Sequence, residues 1–543
     1  MSKENVYTDA NLQVERLIAL KICKDYCIKT LRETDEYCLY REGVFVRGKE
    51  SKSFLESYIS QEIEGLYYYD SAAQKKMFKL TPSKLATILY FIKEMTYTFT
   101  REFDNEEAVI NLKNCLYSTE GFEGLVKNPN FDATIPSDSD NSAWMAGITP
   151  IKHHETNLNP ANPYLSFVQF PIKYEKDAEC LAIDQFFTDV FGFETVPLVY
   201  EMIGYCLASH IKFQKAFILY GPPKSGKTTF LELIERFFGG FDKHAIGKNI
   251  SQIPLQELGD KFELYNLKDK VINLFDDLHD YKKGRLSNAT LFRIITTKNF
   301  ISGAKKYAPE RITWKNRIKL IFTCNLLPPV TKNVGDEFWR RWILLPCFME
   351  FKNKDKMTQD DLNDPNVKER DYDMLRKISL PEELSGLFNK AMEAYMRLLE
   401  RGHFPKKWDD IEKVRDLWQM DIEPAKSFVE ECCDIGVDYE IEYYLFQQEL
   451  NKFREAKGFK PISQTACTRS LGRISNHGVK RSSNRKNYSG IRFKPEIADD
   501  LELVEPKAEV GNLDNYLNDL EKESKERYES KEVIDYSDED RLT

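Results

Sequence analysis

The sequence predicts a multidomain α/β protein, with a parallel-sheet core, a mainly helical region ahead of it and a small winged-helix unit behind it. Three observations lead there. From residue 217 to about 347, apolar strand-like runs alternate with helical runs, the pattern of a parallel sheet whose crossovers are helices. Upstream, apolar spacing reads as helix over 11–32, 52–65, 84–103 and 184–210, interrupted by one short hairpin at "YCLYREGVFVRG". Downstream, residues 457–494 hold 10 Lys or Arg and no Asp or Glu, in the order helix, turn, helix, hairpin.

A chain of 543 residues exceeds one ordinary core, and its length points to about three or four domains. The segments read as an α+β piece over 1–70, a helical region over 71–205 and the sheet core over 206–380. A helical linker over 381–424, the winged-helix unit over 425–498 and an acidic tail over 499–543 complete the reading. The tail carries 16 acidic and 6 basic residues, so it alone supplies the negative sign of a chain whose net charge is −9. It is poor in aliphatic residues and is expected to be disordered beyond a short helix over 513–528. No apolar run approaches the roughly 18 residues of a membrane span, and the N-terminus lacks a signal peptide's apolar stretch. The eleven cysteines have no repeating pair spacing. Cys23 with Cys27, and Cys432 with Cys433, lack the further ligands a zinc site needs, so free thiols in a reducing compartment are expected.

Within the core, "KAFILYGPPKSGKTTFLELIERFF" puts an apolar strand, a Gly-rich loop and an amphipathic helix in succession. The loop satisfies G-x-x-x-x-G-K-[ST] with Gly221, Pro222, Pro223, Lys224, Ser225, Gly226, Lys227 and Thr228, and Thr229 follows. Backbone amides at a helix N-terminus attract an anion, Lys227 is placed for the outer phosphates, and the Thr228 hydroxyl for Mg²⁺. The Gly-Lys-Thr ending favours a nucleoside triphosphate over a dinucleotide. About fifty residues on, "KVINLFDDLHD" ends a strand in Asp276 and Asp277, one carboxylate for the Mg²⁺ shell and one for the attacking water. A strand over 317–323 leads to Asn325, whose amide suits a water-positioning role beside the terminal phosphate, and then turns at two prolines. Arg340 and Arg341 precede another strand, where an arginine can stabilise transition-state charge in a neighbouring subunit's site.

In this order, between Gly221 and Arg341, these elements resemble a superfamily 3 helicase, specifically the helicase module of the poxvirus-type and phage/plasmid-type primase-helicases. Upstream, "INLKNCLYS" and "NPANPYLSFVQFPIKYEKDAECLAIDQFF" are similar to the domain that precedes the ATPase in that family. The likeness covers roughly 70–350, or 35–350 with the hairpin included. It implies an AAA+-like P-loop ATPase using ATP and Mg²⁺, assembled as a ring, with a hexamer expected, that moves 3′ to 5′ on single-stranded or forked DNA. It also implies a role in replicating a virus, plasmid or other mobile element, in the cytoplasm or at the replication site, with a separate primase or polymerase as a possible partner. Arg341 is the first choice for the arginine acting across subunits and Arg340 the second. Lys305, Lys306 and Tyr307 match the family's DNA-contacting hairpin.

Two features depart from the family. Only about 70 residues precede the resemblance, too few for a primase domain, and "SDSDN" at 137–141 sits in a loop. "KHHE" at 152–155 lacks the His-apolar-His alternation of a nicking nuclease. In the basic C-terminal unit, Thr468, Arg469 and Arg473 are expected to face DNA from the second helix, with Lys480, Arg481, Arg485 and Lys486 on phosphates from the wing. The expected activity is ATP-driven DNA unwinding. An RNA helicase of the same superfamily, and a nucleotide-switched origin-binding or scaffold ring, stay open as alternatives.

Overall fold

A computed structural model of the chain describes residues 14–64, 66–69, 74–119, 151–152, 163–241, 249–258, 260–278, 292, 295–304, 311–328, 330, 334–456, 461–474, 480–481 and 487–500. The architecture is mixed, multidomain α/β, in two compact units, Met1–Ile422 and Glu423–Thr543.

The first unit begins with helix Val14–Asp25, strands β1 (Ile28–Leu31), β2 (Tyr37–Arg41) and β3 (Val44–Arg47), and helix Lys49–Ile63. A hairpin of β4 (Tyr67–Tyr69) and β5 (Lys75–Met77) leads to helix Pro82–Thr96 and β6 (Tyr97–Thr98). The sheet order is β3-β2-β1-β6. The helices expected over 11–32 and 84–103 are therefore both too long, because Ile28, Thr30 and Leu31 are buried in pairing with β2 and β6. The boundary at residue 70 is also corrected. One sheet joins 28–47 to 97–98, and one apolar cluster runs from Ile18 to Ile92, so the cut would pass through a single core.

A three-stranded sheet follows, β7 (Val109–Asn111), β8 (Cys115–Ser118) and β9 (Ile151–Lys152). The 137–141 stretch and residues 153–155 lie outside the described residues. The single helix expected over 184–210 is two, Leu181–Phe191 and Val196–Leu207, bent by 115°. Gly192, at φ 75°, ends the first, and Pro197 sits in the opening turn of the second, where its missing N–H costs nothing. No single helix among the described residues is long and apolar enough to cross a membrane.

The central sheet contains β10 (Ala216–Tyr220), β11 (Ile250–Ser251), β12 (Ile272–Phe275), β15 (Lys319–Cys324) and β16 (Trp342–Pro346), all parallel, in the order β11-β12-β15-β10-β16. A hairpin of β13 (Phe300–Ala304) and β14 (Arg311–Lys315) precedes β15, and β17 (Glu350–Lys352) pairs in parallel with β18 (Val367–Glu369). Every residue of β10 and β15 is buried, as helices covering both sheet faces require. Helix Lys227–Gly239 buries Phe230, Leu231, Ile234, Phe237 and Phe238, one stripe of helical spacing. Helix Pro381–Arg401, expected to be part of a linker, belongs to this core. Leu387, Phe388, Ala391 and Leu398 are fully buried in it, and Arg401 and Lys390 pair with Glu201 and Asp184.

The second unit comprises helix Lys426–Cys432, β19 (Cys433–Glu442), helices Tyr443–Ala456 and Gln464–Ile474, β20 (Lys480–Arg481) and β21 (Asn487–Phe493), with sheet order β19-β21-β20. Phe428, Phe446, Leu450, Leu471 and Ile491 form its core. The strand β19 had no counterpart in the sequence reading, and the tail from 501 onward lies outside the described residues.

Lys319, the first residue of β15, is a buried cation at 1% exposure. Its ammonium donates to the Ala208 carbonyl and lies 5.2 Å from the Tyr205 ring centroid. Burial, aided by Arg317 and opposed by Cys206 and Glu107, lowers its pKa to about 7. Between that value and an unfolded value near 10.5, the unfolded chain holds a proton that the folded chain lacks, so folding stability rises with pH across this window. A Lys319→Met variant removes this dependence. Chemical denaturation at pH 7 and pH 9 is expected to show wild type gaining on the variant as pH rises, and a constant difference would refute the assignment.

Candidate functional site

The parallel register carries the ends of β10, β12 and β15 to one side of the sheet, where ligands collect in open α/β folds. A cavity of about 530 Å³ opens there. Its floor is the loop from Gly221 to Gly226, joining β10 to helix Lys227–Gly239. Two glycines are needed for physical reasons. Gly221 has φ 150°, and a Cβ there would meet the Cys347 carbonyl oxygen at 2.1 Å. Gly226, at φ 88°, is left-handed, and its Cβ would stand 2.7 Å from Val190. Pro223 and Lys224 are exposed at the loop's crest, Pro222 is half-buried and Ser225 is buried. The Lys224 carbonyl accepts from the Phe351 amide at 3.0 Å, which holds the loop against β17.

Lys227 is 8% exposed, and its ammonium donates to the carbonyls of Gly221 and Pro222, both at 2.8 Å, and to Ser225 Oγ at 3.1 Å. Burial pushes its pKa down, while Cys347, Cys324, Asp276 and Asp277 act in the other direction. Thr228 Oγ1 donates to Asp276 Oδ2 at 3.1 Å, tying the helix start to the end of β12. A hydroxyl and a carboxylate at this separation are hard oxygen donors of the kind Mg²⁺ takes with waters and phosphate oxygens. No group of three His, Cys, Asp or Glu among the described residues could hold a metal without such added ligands. Asp277, at φ 53°, Asn325, beyond the end of β15, and Thr229 line the same cavity.

Several further residues had no place in the sequence reading. Thr323 is fully buried. Its hydroxyl donates to Asp276 Oδ1 at 2.5 Å and accepts from the Asp277 amide at 3.0 Å, so it orients the Asp276 carboxylate and pins the backbone of Asp277. Its trace in the sequence was legible. The polar residue inside the otherwise apolar run "LIFTC" stands two before Asn325. The outer wall comes from Asp189 and from Lys368, Arg370 and Tyr372, with Phe351 and Leu375 as apolar lining. Lys368 pairs with Asp189, and Arg370 lies 4.9 Å from the Tyr372 ring centroid. Nothing local in the sequence announces this wall, because the pairing of β17 with β18 that builds it is non-local.

The arginine assignment is corrected. Arg341 is 1% exposed and donates to Gln214 Oε1 at 3.1 Å, inside its own fold, so its guanidinium does not reach outward. Arg340 is exposed. Lys305, Lys306 and Tyr307 lie outside the described residues, between β13 and β14. Arg469 and Arg473 fall on helix Gln464–Ile474, and Lys480 and Arg481 form β20. Arg485 and Lys486 lie outside the described residues. Thr468 is also corrected. Its hydroxyl lies 2.7 Å from the Tyr488 hydroxyl, so it faces the hairpin strand of its own unit.

Residues 219–341 match a family described as "Family of unknown function (DUF5906)". No curated protein matches the chain. Among solved structures, the apo C-terminal region of NrS-1 (305–718) overlaps 88% of this chain and 99% of its own, at 12% identity and a TM-score of 0.39. An A-form apo structure of the same region gives 88%, 98%, 12% and 0.39, and another gives 88%, 100%, 12% and 0.36.

Removing the Thr323 hydroxyl should loosen the Asp276 carboxylate and the Asp277 backbone without opening the sheet. On an ATPase reading of this cavity, Thr323→Val is expected to lower nucleoside triphosphate turnover by about 10- to 100-fold, the range for residues that orient metal ligands, with nucleotide affinity little changed. Steady-state turnover beside equilibrium nucleotide binding checks this.

Proposed function

We propose that the chain is an ATP-dependent DNA helicase that works as a ring with ATP sites between subunits. One observation carries the ATPase reading. The 3.1 Å contact between Thr228 and Asp276 joins two motifs far apart in the sequence at the mouth of a cavity floored by the Gly221–Gly226 loop. A structural turn needs none of these side chains to converge.

In this reading the amides of the loop and of the Lys227–Gly239 helix start hold the triphosphate, as helix N-termini hold anions. Lys227 exchanges its loop carbonyls for outer phosphate oxygens. Thr228 and Asp276 would hold Mg²⁺, which would supply charge neutralisation to the phosphates. Asp277 and Asn325, further along the same cavity, orient the attacking water, and Thr323 keeps Asp276 turned toward the metal position. Arg340 takes the part of the arginine acting across subunits, because it is exposed where Arg341 is not.

The β13–β14 hairpin and helix Gln464–Ile474 are the elements offered to DNA. In the second unit, two helices followed by the β20–β21 hairpin have the order of a winged helix, and 10 basic residues against no acidic one over 457–494 suit a phosphate backbone. The choice of DNA over RNA rests on this unit. The ring, the 3′ to 5′ direction, the replicative role and a partner primase or polymerase rest on the family resemblance alone.

The test is ATP-driven strand separation on forked DNA and on a matched RNA fork. Wild type is expected to unwind DNA only. Lys227→Ala should abolish turnover, Asp277→Asn should bind ATP without hydrolysing it, and Arg340→Ala should cut turnover about 10³-fold or more while ATP binding persists. Hydrolysis without strand separation on either fork would remove the helicase reading and leave an ATPase switch.

A further inference from the structure

A second cavity, of about 380 Å³, lies at the opposite end of the central sheet and shares no lining residue with the first. Its position follows from register. Ala216 pairs with Trp342, and the Ala216 amide donates to the Arg341 carbonyl at 2.7 Å. The residues just before β10, Lys212 to Lys215, are thereby set beside those just before β16, Arg340 and Arg341. The segment after helix Pro381–Arg401, with His403 and Asp409, closes the third side.

The charges in this cavity do not balance. Lys212, Lys215, Arg340 and Arg341 face one carboxylate, Asp409. Asp409 is already engaged by Lys215, which also donates to the Arg340 carbonyl. Lys212 and Arg340 are exposed and make no ion pair among the described residues. Burial pushes the pKa of Lys215 down, and the two arginines push it the same way against Asp409, as expected where cations are crowded together. An anion of several oxygens relieves that crowding. Arginine forks and lysine ammonium groups together suit the several oxygens of a phosphate group.

We propose that this cavity is a phosphate-binding site, separate from the nucleotide cavity, with Lys212 as its outer contact and Lys215 as its inner one. The volume exceeds that of one phosphate, so the group arrives as part of something larger. A free pyrophosphate or nucleotide and a phosphodiester link of a DNA strand offer the same chemistry, and experiment can separate them.

The full chain carrying Lys227→Ala, which disables the phosphate loop, provides the background, so the result does not depend on the ATPase reading. Inorganic pyrophosphate and a single-stranded oligo(dT) are titrated separately, with and without Lys212→Glu. If the occupant is a free phosphate species, pyrophosphate affinity falls about tenfold or more and oligo(dT) affinity does not. If it is a phosphodiester, oligo(dT) affinity falls. In that case the milder Lys212→Gln lowers the slope of log affinity against log salt by about 0.7, the value for one lost single-strand phosphate contact. Unchanged binding of both probes in Lys212→Glu and Lys212→Gln, with melting temperatures unaltered, overturns the proposal.

Discussion

The pairing of β10 with β15 on one side and β16 on the other is the constraint on which the rest of the core depends. All five β10 residues are buried, and the strand has hydrogen-bonded neighbours at both edges, so its backbone cannot slide without moving two other strands. The polar residues flanking this strand therefore gather at its two ends. At the carboxyl end, the close approach of Cys347 to Gly221 leaves no room for a side chain, and the loop is forced outward over the cavity. At the amino end, the same register lays Lys215 beside Arg341. One strand thus sets the geometry of both cavities.

The Gly221–Gly226 loop keeps its shape through contacts of its own. Lys227 satisfies its ammonium on two loop carbonyls and a serine hydroxyl, and β17 holds the crest through the Lys224 carbonyl. A buried cation without such partners would cost several kcal/mol. An arriving anion replaces one set of hydrogen-bond partners with another instead of ordering a loose loop, which keeps the entropic cost of binding low.

What was legible in the sequence divides along the range of the interactions. The loop, the acidic pair and the Asn325 strand could be read because each is a local pattern whose chemistry lies in adjacent residues. Helix existence was also readable, but helix ends were not. The stretch 28–31 continues an acceptable helical pattern, and only its pairing with β2 and the distant β6 makes it a strand. Segment 381–401 reads as a linker because its apolar stripe does not reveal its partner, helix Val196–Leu207, about two hundred residues earlier. Arg340 and Arg341 are equivalent as letters. Which is buried depends on the turn out of helix Asp336–Trp339 into β16, and that is a property of packing.

The N-terminal region is mechanically part of the central-sheet core. Asp269, just before β12, pairs with Arg47 of β3, and Arg317, just before β15, lies 3.4 Å from Asp104. The Arg47–Asp269 pair is half-buried. The Arg317–Asp104 pair differs, because both side chains are about nine-tenths buried and Asp104 also accepts from Ser166 and, at 3.1 Å, from the Phe167 amide. With its lone pairs engaged, the carboxylate has what a buried charge needs to be held in place. The two strands that carry Asp276 and Asn325 at one end are thus gripped at the other by residues from the first 119. Short strands bonded into a sheet transmit displacement along their axes with little compliance. A shift of the N-terminal region relative to the sheet would therefore reach the acidic pair and Asn325 together. Moving either pair alone would shear β12 against β15, which the four registered residue pairs between them resist.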